Sequence, residues 1–291
     1  MIRNALSFEL EDWFHAELAS PWVIGTPPSR LAWAVEPILV LLQRYRVRAT
    51  FFVVGEVLRH HPELVRRIYD QGHEIGCHGW SHRPLWALDP QRLARELQAF
   101  DRDAAGVVPP ERVIGFRAPA FSLDERTHWA IDVLRDHGLR YDSSIFPVRT
   151  CFYGLEGAPP RPYRPTSKEL TLDHEGSEFL EFPLTTYPLA GFHLPISGGF
   201  YLRAMPLAML RYGFSQVNAR GDPFVLYLHS WETEAKMPLP KGVPWSSRWI
   251  IQHRTTSTLC KLEALLKGFR FAPLREVLAL HGGRAVTVDV T

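Results

Sequence analysis

Residues 49–82 of the sequence read ATFFVVGEVLRHHPELVRRIYDQGHEIGCHGWSH, and this stretch decides the fold. The apolar run at 49–54 predicts a buried strand, and residues 73–77 predict a second short strand. Between them, residues 62–71 predict a helix, with Pro62 at its first position and Gly72 just after its end. A strand, a helix and another strand in this order are typical of a parallel βαβ unit.

The same alternation continues on both sides of this unit. Further strands are predicted at residues 5–10, 113–116, 139–141, 179–182 and 224–228. Helices are predicted at 29–45, where Pro37 indicates a break or a late start, after the N-cap Asp89, at 124–137, and along the leucine face of Leu259, Leu262, Leu265 and Leu266. So many strand–helix units favour an α/β barrel or near-barrel.

The composition excludes several classes of protein. Of the 291 residues, 46% are apolar and 22% are charged, which is typical of an ordered globular protein. The net charge of +2 is too small for a protein built around nucleic-acid phosphates, so no nucleic-acid partner is expected. Three cysteines without a CxxC pair exclude a disulfide framework.

Neither a secretory signal nor a membrane span is visible in the sequence. The first 15 residues lack the apolar run of a signal, and no apolar run reaches the ~18 residues of a transmembrane helix. We therefore expect a cytoplasmic protein, and we expect residues 1–291 to form a single domain. The proline-rich stretch at 146–176 has little periodicity, and we interpret it as an insertion that forms part of a substrate groove.

Polar residues follow the predicted strands at the point where each strand ends. Glu11 and Asp12 follow the first strand, and His78, Arg117, Asp142 and His229 follow later ones. The reactive groups of α/β barrels lie at the C-terminal ends of the strands, so we expect these side chains to share one site.

Each candidate alone also has a structural explanation. His78 and His82 are four residues apart and could share a metal, but chance alone gives about 0.6 such pairs in this composition. The Glu11-Asp12 pair could be a strand end bound to an arginine, Arg117 could serve a structural ion pair, and His229 could be structural. Together they suit amide hydrolysis: two histidines and a carboxylate bind a metal, a second carboxylate activates water, and another histidine protonates the leaving amine.

The chain resembles the polysaccharide deacetylase superfamily, also called the NodB-homology or carbohydrate esterase family 4 proteins. It is most similar to the branch encoded in exopolysaccharide loci, some of it exosortase-associated. Besides residues 49–82, the resemblance is carried by SFELEDWFH at 7–15, GFRAPAFSL at 115–123, YDSSIFP at 141–147, SGGFYLRAMP at 197–206, LYLHSWE at 226–232 and HRTTSTLCKLEALLKGFRF at 253–271. It implies a distorted, incomplete (β/α) barrel, with residues 240–291 as a family-specific C-terminal extension.

The resemblance also implies a metal-dependent enzyme that removes N-acetyl groups from amino sugars of a surface polysaccharide, an exopolysaccharide or its precursor. The divalent metal is expected to be Zn2+, with Co2+, Ni2+ or Fe2+ as alternatives. The implied roles are metal binding for Asp12, His78 and His82, general base for Glu11, orientation of that base for Arg117, oxyanion donation by the Ala120 N–H, general acid for His229, tuning of that histidine for Asp142, and sugar stacking for Trp80, Phe121 and Trp231.

The chain departs from the family pattern in its first motif. The family commonly has two adjacent aspartates, whereas this sequence has Phe8-Glu-Leu-Glu-Asp12. Two registers follow: Glu11 as base, or Glu9 as base with Glu11 structural. We expect Glu11, because it lies beside Asp12 at the strand end.

Three competing functions remain open on the sequence. The first is an amidohydrolase for a small non-glycan amide on the same scaffold. The second is a weak or inactive sugar-binding homologue, and the third is a structural partner in a surface-polysaccharide system. The sequence makes no prediction of the oligomeric state.

Overall fold

The computed structural model describes residues 2–150, 153–189, 192–235 and 237–281. Its strands are β1 (Arg3–Leu10), β2 (Thr50–Val53), β3 (Glu74–Cys77), β4 (Gly115–Phe116), β5 (Tyr141–Asp142), β6 (Leu180–Glu181), β7 (Thr186–Leu189), β8 (Phe192–Pro195), β9 (Val225–His229) and β10 (Arg270–Ala272). Its α-helices are α1 (Leu31–Tyr45), α2 (Gly55–His60), α3 (Pro62–Asp70), α4 (Pro90–Ala104), α5 (Ala130–Asp136), α6 (Gly199–Ala204), α7 (Leu207–Ala219), α8 (Trp245–Gln252), α9 (Thr258–Gly268) and α10 (Leu274–His281).

The strands form a curled parallel sheet, which makes a half-barrel. Strands β1 to β6 lie in chain order, and β9 and β10 both pair with β1 in parallel. Residues 7–9 of β1 pair with both β2 and β9, so these two strands flank β1 on opposite edges. Strands β7 and β8 form a separate antiparallel hairpin. The expected incomplete α/β barrel is confirmed.

Strand alternation divides the apolar residues into two layers. On β1, Leu6, Phe8 and Leu10 pack outward into the larger core cluster, which includes residues of α1 and α4. The residues between them face the concave side, where Phe52 and Tyr227 belong to a second cluster. Ser7 and Glu9 of β1 are fully or almost fully buried on that side. The concave side therefore carries buried polar groups, and these position the site.

Several local predictions are confirmed and others are wrong. The Asp89 side chain caps α4 by accepting the Arg92 N–H at 2.8 Å, as expected. Helix α1 runs through Pro37 without a break, because Pro37 lies on the partly exposed side of the helix, where water can hydrate the carbonyl left unbonded. Helix α5 begins at Ala130, later than predicted, because turns occupy residues 125–129.

The stretch at 146–176 contains little regular structure, as expected. Tyr163 forms an isolated bridge with Glu181, which joins this stretch to β6. Cys151 and residues 282–291 of the proposed C-terminal extension lie outside the described residues. Among the described helices, none combines the length and the apolar character needed to cross a bilayer.

Candidate metal and catalytic site

Five of the predicted residues converge at the C-terminal ends of β1, β3, β4 and β9. They are Glu11, His78, His82, Arg117 and His229. The side chains of Glu11 and Arg117 have no exposed surface, and that of His82 is only 6% exposed. Charged groups this deep are stable only when they are paired or bind a ligand.

Glu11, His78 and His82 form a cluster suited to a metal ion. Their Oε2, Nε2 and Nε2 atoms are buried and make no hydrogen bond, although Glu11 Oε2 and His82 Nε2 are 2.9 Å apart. One ligand atom from each residue lies within 4.8 Å of the other two. Without a metal, Glu11 Oε2 and His82 Nε2 can only form an ion pair with each other, and His78 Nε2 has no hydrogen-bond partner. A cation at this point would bind all three atoms, so the residues fit a divalent metal.

Hydrogen bonding sets the tautomer of His78. Its Nδ1 lies 2.7 Å from the Arg117 carbonyl oxygen, which can only accept, so Nδ1 carries the proton. Nε2 therefore presents a lone pair to the cluster. A backbone carbonyl bonded to the remote ring nitrogen is the usual support of a metal-binding histidine.

Glu96 of α4 fixes the turn that carries His82. It accepts hydrogen bonds from the backbone N–H groups of Trp80 and Ser81, at 2.9 and 2.7 Å, and from the Ser81 hydroxyl at 2.7 Å. His82 itself has φ +55°, in the left-handed region that non-glycine residues seldom adopt. The hydrogen bonds of Glu96 therefore hold the turn in a conformation that its own residues do not favour.

Glu9 is the carboxylate that Arg117 holds. Arg117 Nη1 lies 3.3 Å from Glu9 Oε1 and donates to Ser7 Oγ at 2.9 Å, while its other nitrogens bond Ser143. Glu9 Oε2 faces His229 Nε2 at 3.0 Å and His78 Nε2 at 3.6 Å. Burial alone would raise the pKa of Glu9, but the charge of His229 and the proximity of His78 hold it well below its usual value.

Glu11 is bound through its other oxygen. Trp231 Nε1 donates to Glu11 Oε1 at 2.8 Å. Burial opposes ionisation of Glu11, yet the neighbouring His82 lowers its pKa to about 2. The reciprocal effect outweighs burial at His82 and raises the pKa of that imidazole to about 9 in the absence of a metal.

Glu9, Glu11 and His229 also lie close enough to form a second metal-binding group. Their facing atoms are already paired, because Glu9 contacts Arg117 and His229, and Glu11 Oε1 accepts the Trp231 N–H. In the cluster of Glu11 with His78 and His82, by contrast, His78 Nε2 presents a lone pair without a hydrogen-bond partner, so this cluster is the better cation site.

Asp12 does not lie with the histidines. Its carboxylate accepts the Trp13 N–H at 2.9 Å and the Arg30 N–H at 3.1 and 3.2 Å, where it caps the turn at Trp13–His15. The physical reason is the two-residue period of a strand, which puts Glu9 and Glu11 on the concave side together and turns Asp12 away. Glu11, and not the expected Asp12, therefore lies beside the two histidines. Glu9, and not the expected Glu11, lies beside Arg117.

Asp142 does not contact His229 either. It bonds the Ser144 N–H and hydroxyl at 3.0 and 2.7 Å, and burial raises its pKa above the usual value. The carboxylate at His229 is Glu232, whose Oε2 lies 3.2 Å from His229 Nδ1. Burial opposes the charged form of His229, but Glu9 and Glu232 raise its pKa well above the usual value.

A cavity of about 290 Å³ opens beside His229. Phe121 and Trp231 line it, together with Ala120, and its surface is mainly aromatic and aliphatic. Ala120 and Phe121 have φ values of +57° and +50°. Non-glycine residues in this conformation are uncommon and cluster at functional sites.

Trp80 lies elsewhere. Its Nε1 donates to Asp103 at 2.7 Å, and the Arg59 guanidinium lies 4.6 Å from its ring centre. It is absent from the cavity lining. Of the three aromatic residues assigned to sugar stacking, the structure therefore brings only Phe121 and Trp231 to the cavity.

Two family models match the chain. The polysaccharide deacetylase model matches residues 31–141, and a domain of unknown function, DUF3473, matches residues 143–279. The boundary between them falls within β5, so the first model contains His78, His82 and Arg117, and the second contains His229 and Glu232.

Curated relatives match about a third of the chain. A chitooligosaccharide deacetylase of Rhizobium leguminosarum bv. trifolii is 33% identical over 106 residues, which are 33% of this chain and 49% of that protein. The peptidoglycan-N-acetylmuramic acid deacetylase PdaA of Bacillus subtilis (strain 168) is 29% identical over 82 residues, 28% of this chain and 31% of that protein. The chain thus spans less than half the length of these relatives.

A solved structure from Mycobacterium smegmatis, assigned as a polysaccharide deacetylase, is 18% identical and superposes with a TM-score of 0.51. The match covers 92% of this chain and 91% of that one. At this identity the likeness concerns the fold, and it extends over both matched regions.

Proposed function

We propose that this chain, whose membership of the polysaccharide deacetylase family is supported by its family model and its relatives, is a metal-dependent N-deacetylase of amino-sugar glycans. The observation that carries the proposal is the buried cluster of Glu11, His78 and His82, in which one ligand atom from each residue lies within 4.8 Å of the other two. Next to this cluster lie the Glu9 carboxylate, which contacts Arg117, and the His229 imidazole, which contacts Glu232. Amide hydrolysis needs all three parts.

We assign the metal to Glu11, His78 and His82. Zn2+ is the first candidate, and Co2+, Ni2+ or Fe2+ are alternatives, since two imidazoles and a carboxylate suit all of them. A bound divalent ion supplies Lewis acidity and lowers the pKa of water toward ~7.

We assign the general base to Glu9. Its Oε1 faces Arg117, so Oε2 is the atom that takes the proton from the attacking water. The fully buried guanidinium, fixed to Ser7 and Ser143, holds this carboxylate in place and aims it at the cluster.

His229 Nε2 donates the proton that the departing amine nitrogen needs. A bond forms between the water oxygen and the carbonyl carbon, the C–N bond breaks, and acetate and a free amino sugar result. The Ala120 N–H stabilises the negative charge on the carbonyl oxygen. The aromatic cavity beside His229 offers rings on which a sugar can stack.

The proposed substrates are N-acetylated chito-oligosaccharides, or an acetylated surface polysaccharide, exopolysaccharide or precursor of similar chemistry. The relatives support this class, because they are named as deacetylases of chitooligosaccharide and of peptidoglycan N-acetylmuramic acid. The alternative of a small non-glycan amide is an outcome of the test below.

The test measures metal content and acetate release on one preparation. The purified protein is incubated with N-acetylated chito-oligosaccharides and Zn2+ or Co2+, beside a chelated sample. We expect about one metal per chain and acetate release that the chelator abolishes. Bound metal with release only from a small amide would reject the glycan substrate, and absence of both metal and acetate would reject the proposed function.

A further inference from the structure

We infer that Glu232, held by Arg203, positions His229 to deliver its proton, a role that rests on the proposed deacetylase function. Three sequence segments meet at the Glu232 carboxylate and the backbone around it. They span residues 197–206, 226–232 and 253–271, and most of their length lies outside the metal cluster.

Glu232 holds His229 at two points. Its Oε2 accepts the His229 backbone N–H at 2.9 Å and lies 3.2 Å from His229 Nδ1. A carboxylate at Nδ1 favours the tautomer protonated there, which leaves Nε2 to exchange protons with the site. Nε2 indeed faces the opposite way, toward Glu9 at 3.0 Å and Glu11 at 3.9 Å.

Arg203 in turn holds Glu232. Its Nη2 lies 2.7 Å from Glu232 Oε1, and both side chains are 1% exposed. Arg203 Nη1 donates to the carbonyl oxygens of Ile251 and His253, at 3.1 and 2.5 Å. The guanidinium is therefore fixed by the backbone at the end of α8, and it lowers the pKa of Glu232 against the effect of burial.

The neighbouring backbone is shaped around this pair. A Cβ at Gly199, the first residue of α6, would overlap the Glu232 carboxylate, so only glycine allows this approach. Thr258 Oγ1 donates to the Glu232 carbonyl oxygen at 2.8 Å, and Lys261 Nζ bonds three carbonyl oxygens around Arg203, those of Leu202, Arg203 and Met205. Every one of these residues lies in the region matched by the domain of unknown function. We assign to that region the support of the general acid.

The chemistry gives this role a specific signature. Cleavage of an amide C–N bond requires that His229 Nε2 transfer a proton to the amine nitrogen as the bond breaks. Cleavage of p-nitrophenyl acetate releases p-nitrophenolate, which departs without that proton. Loss of the Nδ1 partner should therefore slow amide cleavage and spare the activated ester.

The experiment compares Glu232→Gln with a matched control, Glu74→Gln. The control changes a buried carboxyl at the N-terminal end of β3, whereas the site lies at the C-terminal ends of the strands. For Glu232→Gln we expect kcat on N-acetylated chito-oligosaccharides to fall about 10- to 100-fold or more, with KM and metal content unchanged. Hydrolysis of p-nitrophenyl acetate should stay within about threefold of the wild type. A parallel loss on both substrates, or no loss on either, would overturn the inference.

A second variant and a second readout do not depend on glycan turnover. Arg203→Lys keeps a positive charge beside Glu232 but cannot make all the hydrogen bonds of the guanidinium. It should therefore show the same selective loss of amide cleavage to a smaller degree. Nitrogen-15 NMR of histidine-labelled, metal-free protein should show His229 Nδ1 protonated, and Glu232→Gln should change that signal. If the wild type releases no acetate, the proposed function fails; if the His229 signal is unchanged in Glu232→Gln, this inference fails.

Discussion

Changing Glu9 and Glu11 one at a time should separate the base from the metal ligand. Glu9→Gln keeps an oxygen for Arg117 and leaves Glu11, His78 and His82 in place. We therefore expect about one metal per chain and a kcat lowered by the ~10²- to 10⁴-fold that a general base contributes. That loss corresponds to about 3–5 kcal/mol of activation free energy.

Glu11→Gln should act on the metal itself. It replaces the anionic ligand of the cluster with an amide and leaves two histidines, so metal content should fall well below one per chain. Asp12→Asn is the matched control: the side chain accepts only the backbone N–H groups of Trp13 and Arg30, so metal should be retained, with about 1 kcal/mol lost from the free energy of unfolding.

The assay is elemental analysis after desalting, together with initial rates of acetate release. Circular dichroism of each variant checks that the fold is kept. Loss of metal in Asp12→Asn with retention in Glu11→Gln would refute the assignment of Glu11 as the metal ligand. Full activity of Glu9→Gln would refute the assignment of the base.

Three further predictions address the surroundings of the site. Glu96→Gln should weaken metal binding about 10- to 100-fold, measured against a competing chelator, because the turn of His82 loses its anchor. Trp231→Phe keeps the ring but removes the donor to Glu11 Oε1, and should lower the urea-derived unfolding free energy of metal-free protein by about 1–3 kcal/mol. Burial, aided by a nearby arginine, lowers the pKa of His73 from 6.5 to about 4, so only the unfolded chain gains a proton between these pH values. The contribution of His73 to the free energy of unfolding is therefore fully present above pH 6.5 and falls by about 3 kcal/mol toward pH 4. His73→Asn keeps a hydrogen-bond acceptor that does not titrate, so it should remove this contribution to the pH dependence of unfolding.

The sequence was sufficient for the fold because its signals are local. The apolar runs, Pro62 with Gly72, and the cap at Asp89 each act within a few residues, and they predicted the parallel half-barrel. Of the polar residues after the strands, Glu11, His78, Arg117 and His229 also meet where the parallel strands end, whereas Asp12 and Asp142 do not. Arg203 could not be found this way, because its partner Glu232 is 29 residues away in the chain and no periodicity connects them.

The errors in the site have physical causes as well. The alternation Phe8-Glu-Leu-Glu places Glu9 and Glu11 on the same side of β1, whereas adjacency in the sequence pairs Glu11 with Asp12, which lies on the other side. Glu232 lies three residues after His229, a spacing at which the two side chains meet across one turn. The single-domain organisation over residues 1–291, the groove role of residues 146–176 and the cytoplasmic location stay predictions.

The most direct test of the proposed metal site is a crystal structure of the protein grown with Zn2+, with anomalous diffraction recorded at the zinc edge. We predict one strong peak at about 2.0–2.2 Å from Glu11 Oε2, His78 Nε2 and His82 Nε2, with Asp12 still bound to the backbone of Trp13 and Arg30. A peak bound by Asp12, or no peak between the two histidines, would contradict the assignment.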